Sequence, residues 1–152
     1  AMVIGKKGKN ISEDKAQDHV FGYCIVNDVS ERSWQKERGG QWIKGKSIAG
    51  PCGPYLVTKD EIKDINNLNL SLDVNGERRQ TGNTERMIFN FNFLISHISQ
   101  FMTLYPGTII TTGTPAGTAM EMDAPKFLQI GDKLSLKVDQ LGEQNHMVEE
   151  SD

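Results

Sequence analysis

The sequence has few of the features that mark membrane, secreted and zinc-finger proteins. It contains only two cysteines, Cys24 and Cys52, whose wide spacing is no zinc signature and which make no disulfide framework. No apolar run reaches the roughly 18 residues of a transmembrane helix, and Ala1–Gly5 is far too short for the core of a signal peptide. These absences predict a cytoplasmic protein, in which Cys24 is a small buried hydrophobe within an apolar run.

The charge pattern also has no dominant sign. The net charge is −3, the isoelectric point is about 5.6, and lysines and arginines are spread along the chain. A nucleic-acid partner is therefore not expected, because phosphate backbones are bound by clustered basic residues. The 152 residues, 37% of them hydrophobic, fit one domain over 1–152 that is long enough to bury a core.

Short strands dominate the periodicity of the chain. β-branched, aromatic and alternating residues predict strands at 20–29, 55–58, 68–74, 77–81, 108–111, 133–138 and 145–149. Asn75-Gly76 predicts a type I′ hairpin turn. Helical spacing predicts one main amphipathic helix over 90–103. A short helix capped by Ser12 is expected at 13–19, and a short polar helix or turn at 31–38.

The number of helices is too small to connect parallel strands. We therefore expect an α+β fold that is mostly β, a mixed β-sandwich or β-roll with one main amphipathic helix. Residues 39–54 form a glycine-rich stretch with two prolines. A loop of this length in a compact domain is often functional.

The densest set of polar residues surrounds this loop. Asp28 ends an apolar strand, Arg32 and Gln35 follow on one helical face, and Lys46 lies within the loop. An aspartate at a strand end can bind a hard cation such as Mg²⁺, and the two cations could hold substrate carboxylates. The spacing alone favours a helix-capping aspartate beside solvated basic residues.

Several motifs resemble those of the fumarylacetoacetate hydrolase family, in order along nearly the whole chain. Residues Asn27–Gln35 resemble its N-D-x-S-x-R-x-x-Q motif, and Gly45–Ser47 resembles its G-K-S. The hairpin around Asn75-Gly76, the turn Thr112–Gly117 and the Gly131-Asp132 pair also resemble family segments. This ordered series is far more specific than any single motif.

The resemblance implies a role for each of these residues. Asp28 would be one of three carboxylate ligands of a divalent cation, Mg²⁺ or alternatively Ca²⁺ or Mn²⁺. Arg32, Gln35 and Lys46 would line the active site, and Gly113 with Thr114 would contact the substrate carboxylate. The implied activity is isomerisation, decarboxylation or C–C hydrolysis of small 2-oxo or enol acids, through a metal-stabilised enolate. The implied assembly is a homodimer.

Two departures from the family pattern limit these expectations. The other two metal ligands of the family lie in an E-x-E motif that would fall immediately upstream of Ala1, so we expect an N-terminally truncated catalytic domain with weak or no metal binding of its own. The segment between Lys46 and Pro54 is also about two residues shorter than in the family. The alternative is a catalytically incompetent homologue that acts as a dimerising or binding module.

Overall fold

The computed structural model describes residues 1–36 and 50–150. Its strands and α-helices are β1 (Met2–Ile4), β2 (Val20–Val26), α1 (Arg32–Lys36), β3 (Cys52–Thr58), β4 (Asn69–Val74), β5 (Glu77–Asn83), α2 (Phe91–Phe101), β6 (Ile109–Ile110), β7 (Lys133–Val138) and β8 (Gly142–Met147). Short 3-10 helices cover Glu13–His19, Lys59–Glu61, Thr84–Arg86 and Ala119–Glu121.

The strands form two four-stranded sheets. The first sheet has the order β3-β2-β1-β6 and the second has the order β5-β4-β7-β8. Every neighbouring pair of these strands is antiparallel. The expected mostly β fold with one main amphipathic helix is confirmed.

The turn between β4 and β5 is the best example of local sequence dictating structure. Asn75 and Gly76 have φ values of 52° and 79°, and a type I′ turn needs positive φ at both central positions. Asn75 also contacts the neighbouring β7 connection, because its side-chain oxygen accepts from the Lys133 amide at 2.9 Å. The predicted hairpin is confirmed.

Helix α2 begins and ends close to the predicted limits. The side chain of Asn90 accepts from the Phe93 amide at 2.8 Å, which satisfies one of the unpaired donors of the first turn. Phe91, Ile95 and Ser99 form the buried face. Ser99 is fully buried but paired, since its hydroxyl accepts from the Ile11 amide at 2.8 Å and donates to a backbone carbonyl within the helix.

Some local predictions were wrong. The Ser12 side chain makes no capping bond to the helix that follows it, which is a 3-10 helix. The amphipathic pattern predicted over 90–103 does not end in the core, because Phe101 is 72% exposed. Phe101 instead packs against His97, with ring centroids 5.1 Å apart. His97 in turn packs against Phe93, with ring centroids 5.7 Å apart.

The core fills the space between the sheets, α2 and the first 3-10 helix. Its fully buried side chains come from distant parts of the chain and include Met2, Ile4, Tyr23, Leu68, Ile95 and Leu104. Cys24 is buried as predicted. Among residues 1–36 and 50–150, no helix combines the length and apolar character that a membrane crossing requires.

Candidate functional site

The first sheet brings two of the predicted site segments to one edge. Strands β2 and β6 both pair antiparallel with β1, so they run parallel to each other on either side of it. Asp28 follows the carboxyl end of β2, and Gly113 and Thr114 follow the carboxyl end of β6. Because adjacent strands lie about 4.8 Å apart, β2 and β6 are about 10 Å apart across β1. Strand β2 continues past Tyr23, the residue that is level with Ile110 at the end of β6. The amino end of β1 lies between them.

The path from β2 to α1 exposes Asp28. The Asn27 amide donates to the Pro51 carbonyl at 2.9 Å, which extends the contact between β2 and β3 past the end of β2. Asp28 is exposed, and α1 begins four residues later. Glu31 is one carboxylate that accepts from the first turn of α1, where it bonds the Ser33 amide at 2.8 Å and the Ser33 hydroxyl.

The Ser33 hydroxyl and, to a smaller extent, the Ser33 amide donate hydrogen bonds to Glu31. These bonds hold the pKa of the Glu31 carboxyl below its usual range. Glu31 is thus a carboxylate at neutral pH. It adds negative charge at the start of the helix, where the helix dipole favours it.

Arg32 and Gln35 contact each other on α1. The Arg32 guanidinium donates to Gln35 Oε1 at 2.6 Å, which confirms that the two residues share a helical face. Gln35 is only 3% exposed, and its Nε2 has no hydrogen-bond partner within the described part of the chain. A buried donor without a partner costs about 1–3 kcal/mol, so an acceptor oxygen placed against this Nε2 would recover that free energy.

The turn that carries Thr114 is fixed by the second sheet. Gln80 on β5 donates from Nε2 to Thr114 Oγ1 at 2.8 Å and to the Pro115 carbonyl at 2.7 Å. Gly117 has φ +106°, and a Cβ there would lie 2.0 Å from the Arg79 carbonyl oxygen. Only glycine therefore lets the turn approach the β5 backbone this closely.

A carboxylate closes the far end of the same turn. Glu121 Oε2 accepts from the Gly117 amide at 2.8 Å and from the Thr118 amide at 2.7 Å. The hydrogen bond from the Thr118 amide and, to a smaller extent, that from the Gly117 amide hold the pKa of the Glu121 carboxyl below its usual range. The sequence interpretation assigned no role to Gln80 or Glu121. The Thr118-x-x-Glu121 pattern of a capping box could have revealed the second.

A buried amide connects the second sheet to the strand ends beside Asp28. Gln144 on β8 is 5% exposed, and its Nε2 lies 2.7 Å from the Gly53 carbonyl, 3.1 Å from that of Ile25 and 3.4 Å from that of Pro51. Sequence reasoning missed this residue, because the predicted strand begins at residue 145, whereas β8 begins at Gly142.

The remaining predicted residue, Lys46, lies outside the described residues. Among those that are described, no group of three or more His, Cys, Asp or Glu side chains could hold a metal ion. Asp28 alone is too small a donor set for a hard divalent cation, which takes six or more oxygen ligands. The described residues therefore do not by themselves fit a metal site.

Comparison with known protein families gives a match over almost the whole chain. The family model described as "Fumarylacetoacetate (FAA) hydrolase C-terminal" matches residues 1–149. A Burkholderia cenocepacia protein whose name assigns it provisionally to the hydrolases is 53% identical over 146 residues, which are 94% of this chain and 52% of that protein. The chain thus spans about half the length of the curated relatives it matches.

Solved structures show the same fold. The fumarylacetoacetate hydrolase of Exiguobacterium antarcticum is 38% identical with a TM-score of 0.92, over 99% of this chain and 54% of its own. The 2-hydroxyhepta-2,4-diene-1,7-dioate isomerase of Mycobacterium marinum is 37% identical with a TM-score of 0.85, over 97% and 55%. The maleylpyruvate hydrolase of Sphingobium sp. SYK-6, in complex with manganese(II) and pyruvate, is 31% identical with a TM-score of 0.84, over 99% and 52%.

Proposed function

This chain belongs to the fumarylacetoacetate hydrolase family, and from that premise we propose that it is the catalytic domain of an enzyme acting on small 2-oxo or enol acids. The neighbours named above are a hydrolase and an isomerase of such acids and a fumarylacetoacetate hydrolase. The proposed reaction is isomerisation, decarboxylation or C–C hydrolysis, each of which passes through an enolate.

The observation that carries the proposal is the shared sheet edge. Asp28 and the Gly113-Thr114 turn leave the first sheet on the same side, with only β1 between the strands that precede them. A 2-oxo acid has its carboxylate and its carbonyl on adjacent carbons. It therefore needs a carboxylate-binding turn and an electrophilic group on one side of the protein. The Gly113-Thr114 turn is proposed as the first, and a cation held in part by Asp28 as the second.

Thr114 is proposed to bind the substrate carboxylate. Its hydroxyl oxygen accepts from Gln80, so the hydroxyl proton remains available as a donor. Gly113, at φ +91° with nothing within 4 Å of a built Cβ, leaves the backbone open to a close approach.

Arg32, Gln35 and Lys46 are proposed to meet the reacting end of the substrate. Arg32 would supply a fixed cation, oriented by its bond to Gln35 Oε1. Gln35 Nε2, which has no hydrogen-bond partner among the described residues, would donate to a substrate oxygen, and this bond would remove the cost of burying the donor. Lys46 would add positive charge near the developing oxyanion.

A divalent cation, Mg²⁺ or Mn²⁺, is proposed as the cofactor, with Asp28 as one ligand. When bound, such an ion would polarise the 2-oxo carbonyl as a Lewis acid. The remaining ligands would have to come from outside the described residues, so no step of the reaction is derived through the ion. A homodimer and a cytoplasmic location stay predictions.

The test is turnover by the natural polypeptide that contains these residues. Oxaloacetate, acylpyruvates and a 2-hydroxymuconate-type diacid would be assayed with Mg²⁺, with Mn²⁺ and with a chelator. Asp28→Ala should abolish metal-dependent turnover, whereas Asp123→Ala, at an exposed aspartate, should leave it unchanged. Full turnover by the Asp28 variant would remove Asp28 from the mechanism.

The alternative is a binding module without turnover. The observation that favours it is the single candidate carboxylate ligand within the described part of the chain. Titration calorimetry of the natural polypeptide with Mn²⁺ separates the two, because the catalytic interpretation predicts binding there and the module interpretation predicts no measurable binding.

A further inference from the structure

The two cysteines lie side by side, although they are far apart in the sequence. Cys24 Sγ and Cys52 Sγ are 3.3 Å apart. Val26 is the register partner of Cys52 across β2 and β3, and Cys24 lies two residues before Val26. The pairing of β2 with β3 is irregular between Tyr23 and Ile25, but the short distance between the two sulfur atoms places them on one face of the sheet.

The two thiols differ in their access to solvent. Cys24 is 2% exposed, whereas Cys52, the first residue of β3, is exposed. A small reagent from solvent therefore reaches Cys52 first, and the buried Cys24 sulfur is already in contact with the atom that the reagent modifies. An exposed reactive cysteine poised beside a second, resolving cysteine is the arrangement found in redox-sensitive sites.

We propose that Cys24 and Cys52 form a reversible disulfide when the protein meets a peroxide. The thiolate of Cys52, after losing its proton to solvent, attacks one oxygen of the peroxide. The O–O bond breaks, Cys52 becomes a sulfenic acid, and the second oxygen leaves as hydroxide and takes up a proton to form water. The Cys24 sulfur then attacks the Cys52 sulfur, the S–O bond breaks, and the Cys24 proton leaves with the hydroxide as a second water.

The balance of this reaction is two thiols and one hydrogen peroxide giving one disulfide and two waters. Two electrons pass from the sulfur atoms to the peroxide. Only a small movement of the two side chains is needed. The sulfur atoms are 3.3 Å apart and a disulfide bond is about 2.04 Å long, so they need to approach by about 1.3 Å. Reduction by a small dithiol reverses the bond through thiol–disulfide exchange.

The environment of Cys24 assigns the order of the two steps. Burial is the larger cause, and the hydrogen bond with Cys52 the smaller one, that raises the pKa of the Cys24 thiol to about 11. It is therefore protonated at neutral pH and unreactive toward reagents in solvent. Cys24 fits the resolving position, where proximity to the Cys52 sulfur replaces intrinsic nucleophilicity.

The bond would close the chain at the base of the candidate site. Residues 25–51, which include Asp28, Arg32 and Gln35, would become a covalent loop anchored on β2 and β3. A cross-link of this kind restricts the unfolded chain and stabilises the fold. The disulfide does not depend on the proposed enzymatic activity, so the two can be tested separately.

The experiment is mass spectrometric peptide mapping of the natural polypeptide after treatment with hydrogen peroxide under native conditions. We expect a peptide pair joined through Cys24 and Cys52 that has lost two hydrogen atoms and is separated by dithiothreitol. We also expect the thermal midpoint to rise by several degrees on oxidation and to return on reduction.

Two variants sharpen the result. Cys52→Ser should give no cross-link and no oxidation at Cys24, and Cys24→Ala should allow Cys52 to proceed to the sulfinic acid. The proposal is overturned if both thiols remain free after treatment. It is equally overturned if the product is a Cys52–Cys52 bond between two molecules, or if wild-type Cys52 reaches the sulfinic acid without forming the cross-link.

Discussion

Gln144 offers the sharpest test of how the second sheet supports the candidate site. Its side chain is the polar contact from β8 to the ends of β2 and β3, next to the point where the chain turns toward Asp28. The Nε2 group has two protons and faces three carbonyl oxygens, at 2.7, 3.1 and 3.4 Å. The two shorter contacts have good hydrogen-bond distances, and the third is too long to contribute much.

The cost of removing this amide follows from the same distances. Gln144→Leu keeps most of the side-chain volume but deletes both donors, and each net hydrogen bond contributes about 0.5–1.5 kcal/mol. The Pro51 carbonyl keeps its bond from the Asn27 amide, so only the Gly53 and Ile25 carbonyls lose a donor. We expect Gln144→Leu to lower the free energy of unfolding by about 2 kcal/mol, and Gln144→Ala by about 3 kcal/mol because it also leaves a cavity.

Urea denaturation followed by circular dichroism measures both values. Asn145→Ala is the matched control, since Asn145 is the exposed neighbour on the same strand and its truncation should change stability by less than about 0.5 kcal/mol. If Gln144→Leu is as stable as the wild type, the amide does not hold the two sheets together, and the reasoning fails.

Two further predictions concern the turn that carries Thr114. Gly117→Ala should destabilise the fold by about 2–4 kcal/mol, because it adds positive-φ strain to a 2.0 Å contact with the Arg79 carbonyl; Gly107→Ala, at φ +87° with open space around it, is the control and should cost only about 1 kcal/mol. Equal losses in thermal denaturation would show that the contact is unimportant. Glu121→Gln should lower stability at pH 7, where the wild-type carboxylate accepts two amide bonds. Because the folded-state pKa of Glu121 is lowered, this advantage is complete above the unfolded value of about 4.3 and is lost as pH falls through the lower folded value. A gap between wild type and variant that stays constant down to pH 3 would contradict the assignment.

The sequence predicted the features that depend on short-range physics. The Asn75-Gly76 turn, the limits of α2 and the strands from Glu77 to Val138 follow from φ preferences, capping and alternation, and the structure confirms them. The shared face of Arg32 and Gln35 likewise follows from helical spacing. The family resemblance supplied the roles that spacing alone left open.

The sequence could not predict the contacts that cross between sheets. Gln144 meets Ile25 across 119 positions, and Gln80 meets Thr114 across 34. Each is one polar residue in a strand made almost entirely of polar residues and glycine, so its importance depends on which strands become neighbours. The contact between Cys24 and Cys52 was missed for the same reason, since its signal is the register of β2 with β3.

These long-range contacts explain why a mostly β domain can hold a site on a sheet edge. Where a strand ends, the backbone groups that follow it no longer have partners in the sheet, and the loops there are more mobile than the strands. In this chain the second sheet supplies the missing partners, through Gln144 for the β2 and β3 ends and through Gln80 for the turn after β6. Each support comes from a different strand of that sheet. The geometry of the candidate site therefore depends on how the two sheets pack, and a core substitution that shifts one sheet against the other should disturb both supports together.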